Sequence, residues 1–152
     1  MEYTFDITLK NRVLLQSFME RLSLDQLNTI PKGFNNNILW NIGHSIVTQQ
    51  LLVYGLSGQP FKVSDELIAS FRKGTKPDRL YIAEEVEKIK SLLFTTVEQV
   101  KQDYDKGMFT SFKAYTLSTT GGTLSSVQEA LEFNNFHEGL HLGYCIALAR
   151  LV

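Results

Sequence analysis

The chain contains a single cysteine, Cys145, so no internal disulfide can form, and a reducing compartment is the expected setting. It has no excess of either charge. Fifteen Lys and Arg against sixteen Asp and Glu leave a net charge of -1, which removes the electrostatic case for a nucleic-acid binder. No apolar run approaches the roughly 18 to 20 residues that cross a bilayer. The first residues, Met1 to Asp6, have neither a basic stretch nor an apolar core, so they do not read as a secretory signal. Internal repeats and low-complexity segments are absent. What remains is a chain of 152 residues, 43% hydrophobic and 20% charged, enough for one core. A single cytoplasmic domain spanning residues 1–152 is the expectation. Histidine is scarce too, with three in all, and those three carry the chemistry.

Helical periodicity predicts four long helices. The first covers about Leu9 to Leu24, with Leu14, Phe18 and Leu22 on one stripe. A short piece, Asp25–Ile30, follows and is closed by Pro31 and Gly33. The second helix runs from about Asn35 to Leu56, with Trp40, His44, Val47, Leu51 and Tyr54 on its stripe, and ends at Gly58-Gln59-Pro60. Asp65–Arg72 reads as a short surface helix capped at Ser64. The third long helix, about Ile82 to Tyr104, carries Ile82, Val86, Ile89, Leu93, Val97, Val100 and Tyr104 on one face. The fourth starts near Ser125, where Ser125-Ser126-Val127-Gln128 has capping-box spacing, and reaches about Arg150. Strand signals are weak, with one short extended piece at Phe112–Leu117; Thr119 to Thr123 looks like the most flexible stretch. The fold class is therefore all-α, a four-helix bundle. The long connection from Ser57 to Tyr81 exceeds the usual link between antiparallel neighbours, which favours a parallel second and third helix over an elaborated loop.

His137 and His141 lie four residues apart on the fourth helix and so project to the same side. On a helical wheel they join the stripe of Val127, Leu131, Cys145 and Leu148, away from Glu129, Glu132 and Arg150. His44 falls inside the apolar stripe of the second helix. Two stripes facing one core would bring three imidazoles together, and three neutral imidazoles with an open position make a catalytic metal geometry. The competing reading is three ordinary core histidines, each with a desolvation cost and little to offset it. Residues 137–141 also spell His-Glu-Gly-Leu-His, the zinc-protease pattern. In those enzymes the third ligand usually lies downstream, and no His, Asp or Glu follows His141, so the protease reading is rejected.

Asn36-Asn37-Ile38-Leu39-Trp40-Asn41-Ile42-Gly43-His44, followed far downstream by His137-x-x-x-His141-Leu142-Gly143-Tyr144, resembles the DinB/YfiT-like family of metalloenzymes. The resemblance covers essentially the whole chain. It implies an up-down-down-up four-helix bundle with a nickel or zinc ion on His44, His137 and His141, water at the open position, and frequently a homodimer. Characterised members of that family resemble thiol-dependent S-transferases and isomerases.

An ion on three neutral imidazoles keeps its full charge, and either lowers the pKa of bound water to about 7 or holds a thiol as thiolate. The first serves hydrolysis; the second serves transfer of a small-molecule thiol to an electrophile. Glu138 lies nearer the core stripe than a solvated Glu should. It reads as an acceptor behind a ligand imidazole, as a general base beside the metal, or equally as a salt-bridged residue. Cys145, one turn past His141, reads as a small core residue, with a fourth soft ligand as the alternative. Trp40, Asn134 and Tyr144 are candidate pocket residues. Asn36, Asn37 and Asn135 either orient ligands or, for the first two, begin a helix. The Arg72–Arg79 stretch holds four basic residues against Asp78 and reads as a solvated loop or a landing place for an anion. A non-catalytic bundle stapled by a structural metal, or a metal- or stress-responsive binding protein, is the alternative function. Only three good ligands are available, and structural zinc sites normally fill all four positions.

Overall fold

The computed structural model describes residues 1–152. It contains six α-helices and one two-strand ribbon: α1 (Glu2–Arg21), α2 (Leu24–Asn28), α3 (Ile38–Gln50), α4 (Asp65–Phe71), α5 (Ala83–Asp105), β1 (Tyr115–Thr116), β2 (Thr123–Leu124) and α6 (Val127–Leu148). A π-helical turn, Leu51–Gly55, continues α3. The class is all-α, as the periodicity predicts. No helix is long and apolar enough to cross a membrane.

Buried side chains fix how the four long helices lie. One core cluster joins Leu15 and Phe18 of α1, Ile38 to Val47 of α3, Val86 to Leu93 of α5, and Cys145 and Leu148 of α6. A second joins Phe5, Val53, Tyr54, Val97, Val100, Val127 and Leu131. The early part of α1 therefore meets the early part of α6 and the late part of α5. In this arrangement α1 and α6 run one way, and α3 and α5 the other. The link from α3 to α5 returns along the bundle, with α4 laid across α3 on the way.

Local chemistry sets the boundaries. Ser23 and Gln26 form a reciprocal capping box on α2. Asn37 caps α3, its Oδ1 accepting from Trp40 N at 2.7 Å. Ser64 caps α4 as expected, and Ser126 rather than Ser125 caps α6.

Several sequence expectations need correction. The first helix begins at Glu2, with no side-chain cap to announce it. Its buried stripe is Phe5, Thr8, Arg12, Leu15, Phe18 and Met19, and Leu14 faces solvent. Ile82 precedes α5 and is exposed rather than part of its stripe. The second strand starts at Thr123, the last residue of the stretch read as flexible, where Thr123 pairs with Thr116.

Candidate metal centre

α3 and α6 pack side by side, and their facing surfaces bring the three histidines together. His44, His137 and His141 each offer a ring nitrogen within 4.8 Å of the others. In a tetrahedral zinc site with Zn–N bonds of about 2.0–2.1 Å the ligand atoms lie about 3.3 Å apart, so a modest side-chain rotation closes the cluster on an ion.

Each imidazole is held differently. His44 donates from Nδ1 to the carbonyl of Phe71 at 2.6 Å, filling one of the free carbonyls at the C-terminus of α4. Its ring stacks on Trp40 with centroids 4.5 Å apart and planes 10° from parallel. The indole in turn donates from Nε1 to Thr75 Oγ1 at 3.0 Å. Gly43 makes this approach feasible. A Cβ there would lie 2.5 Å from Phe71 Cδ1, so only glycine lets that ring settle against α3 and bring its carbonyl to His44. His141 donates from Nδ1 to Asn41 Oδ1 at 2.8 Å, and Asn41 is oriented by its own donation to Asn37 O at 2.7 Å. Both bonds place the proton on Nδ1 and leave Nε2 unprotonated, that of His44 lying 3.3 Å from Thr48 Oγ1. His137 Nε2 lies 3.1 Å from His141 Nε2, while its Nδ1 is buried without a partner.

Burial depresses all three basicities. His44 falls below its ordinary value, desolvation outweighing the bond to Phe71. His137 is pushed down to about 2, by burial first and then by its two neighbours and Arg12. His141 falls to about 4, again through burial first and then His44. The three imidazoles are thus neutral at pH 7, the protonation state a metal requires. Three convergent neutral donors, two of them locked in the right tautomer, are compatible with a divalent ion.

Other expected site residues take up varied places. Glu138 is fully buried and receives Arg12 Nε at 3.0 Å, Arg12 Nη2 at 2.8 Å and Asn134 Nδ2 at 2.7 Å. All its hydrogen bonds run to those two residues and none to an imidazole. Asn134 is buried behind Glu138 and lines neither cavity described below. Asn135 ties α6 to α1 through Thr4 and Thr8. Cys145 sits in the main core with its thiol pushed up to about 12 by burial, outside the histidine cluster. Trp40 and Tyr144 both line a cavity that reaches His141.

Two cavities meet the cluster. One, about 400 Å³, is walled by His44 and His137 and by apolar side chains including Leu52, Leu117 and Phe133. The other, about 420 Å³, is walled by His141, Trp40, Asn35, Asn36, Asn41 and Tyr144. Asn41 and Phe71 escaped the sequence reading, whereas Lys73 lies in the Arg72–Arg79 stretch that reads as a solvated loop or a landing place for an anion. Asn41 had a signal, its i+4 spacing from the cap Asn37, but Phe71 acts through its backbone.

Helices packed around a three-histidine cluster define an all-α protein with a site compatible with a divalent ion. The chain belongs to the DinB superfamily, whose family model matches residues 8–145. A comparison with curated proteins finds no match.

Proposed function

We propose that this protein is a metal-dependent enzyme that transfers a small-molecule thiol to an electrophile, with nickel or zinc held by His44, His137 and His141. The observation that carries the reading is the donor set itself: three neutral imidazoles converge, and no fourth protein ligand joins them. A divalent ion bound there supplies a positive charge that stabilises a thiolate or a developing anion. The chain's own residues supply orientation. Phe71 O and Asn41 Oδ1 hold two rings in the ligating tautomer, and Trp40 restrains His44 by stacking.

Two cavities at one cluster favour a two-substrate transfer over hydrolysis. The apolar cavity suits the electrophile. The asparagine-lined one suits a polar thiol, and it includes Asn36, whose buried Oδ1 lacks a partner. In the transfer, the thiolate sulfur forms a bond to the electrophilic carbon while the leaving group departs with its electron pair. The reading also includes a cytoplasmic setting and a homodimer, for which α6 presents exposed Phe136, Leu140 and Tyr144 along one side.

The test is thiol consumption by untagged, zinc- or nickel-loaded protein, with cysteine and other low-molecular-weight thiols against an aryl chloride. A rate above background that disappears in a folded His137→Ala variant is expected. Equal rates for the two proteins with every thiol would contradict the proposal.

A further inference from the structure

The cavity beside His44 and His137 has two unlike parts. Its body is apolar, formed by Leu51, Leu52, Leu56, Leu117 and Phe133. The π-helical turn contributes Leu51, Leu52 and Gly55 to this wall, and such turns widen a helix where a side chain or ligand must be accommodated. Its other part is cationic. Lys73 lines the cavity and donates to the Ser118 hydroxyl, joining the loop after α4 to the turn after β1. Lys73 forms no ion pair with any carboxylate, and none of the 13 lining residues is Asp or Glu. Arg79, from the same basic stretch, is already committed to Glu85 at 2.6 Å. The protein thus provides a positive charge at an apolar cavity and no counter-charge.

We infer that this cavity binds a small amphiphilic anion, its carboxylate or similarly compact headgroup at Lys73 and Ser118 and its hydrocarbon or aryl body against Leu52, Leu117 and Phe133. An ammonium is a point charge suited to a compact anion, while a five-residue apolar wall rewards a body of several carbons. The inference deepens the proposed function by naming the class of the electrophilic substrate, and it rests on that reading only for the claim that the bound molecule reacts.

Octanoate, octanol and octylammonium, titrated into the full-length chain with and without saturating zinc and followed by amide chemical shifts, provide the test. Octanoate is expected to bind about fivefold or more tighter than octanol, with octylammonium weakest, and the preference should shrink as salt is raised. The order should hold without zinc, which separates headgroup recognition by Lys73 from coordination to the ion. Lys73→Gln should erase the preference for octanoate and leave octanol binding unchanged. Leu117→Trp should block both by filling the cavity. Retention of the preference in Lys73→Gln, or equal binding of all three probes, would overturn the inference. Failure of all three to bind a zinc-loaded protein would overturn it while leaving the metal site standing. Octanoate binding by a chain that takes up no zinc would support it and remove the metalloenzyme reading.

Discussion

Two buried polar clusters stand next to each other on α6, and they are built on opposite principles. At Glu138 opposite charges answer each other, although Arg12 Nη1 and Asn134 Oδ1 are buried without a partner. The carboxylate meets Arg12 in a two-pronged ion pair, Asn134 adds a third donor, and Arg12 reaches Ser45 O at 3.4 Å, so α1, α3 and α6 are tied together. At His137 and His141, by contrast, like groups face like. Three bases converge with no acid among them, one Nε2 lies against another, and a ring nitrogen is left unpartnered. Opposite charges that neutralise one another suit a role in the architecture; three neutral bases with no acid among them suit a cation brought from outside.

The largest effect of a single substitution should come from opening the Arg12–Glu138 pair. Arg12→Met leaves a carboxylate with 0% exposure unpaired, which costs about 3–5 kcal/mol. Urea unfolding should show that loss, and a change below about 1 kcal/mol would mean the pair is dispensable.

Gly43→Ala sharpens the comparison from the other side. The new methyl collides with the Phe71 ring, so overpacking should cost about 1–3 kcal/mol. Loss of the carbonyl that orients His44 should weaken zinc about 10- to 100-fold. A competition titration reads the second effect separately from the first. Stability loss with unchanged affinity would remove Phe71 from the site.

The smallest effect per step is the acid response of the metal-free chain. His137 and His141 have folded pKa values of about 2 and about 4, below the ordinary 6.5. As pH falls below 6.5 the unfolded chain takes up protons that the folded chain refuses. The contribution of these rings is therefore complete above 6.5. It is lost progressively down to about 4 for His141 and about 2 for His137, at up to about 1.4 kcal/mol per pH unit for each ring. His137→Phe should flatten the dependence between pH 6 and 4 in thermal melts, and an unchanged slope would show that this ring is not buried as a neutral base.

The same contrast explains what could be read from the chain and what could not. His44, His137 and His141 were legible because a helical period places residues four apart on one side, and because histidine is so rare here that each one stands out. Helices α3, α5 and α6 were legible from apolar stripes. Arg12 was not, since an arginine inside an amphipathic helix ordinarily faces water and its partner lies on α6, at the far end of the sequence. The start of α1 was missed because Met1 offers no cap and the opening turns mix polar with apolar residues. The role of Phe71 was invisible because its acceptor is a backbone carbonyl that every residue has. Pairings decided by tertiary placement leave no local trace, whereas ligand spacing along one helix does.

Metal content tests the central claim most directly. Untagged protein and a His141→Ala variant, each purified and then reconstituted with zinc or nickel, should be compared by plasma mass spectrometry. About one ion per chain in the parent protein and little or none in the variant is the expected result. Absence of metal from both, after reconstitution with each ion, would contradict the account and return the three histidines to the core.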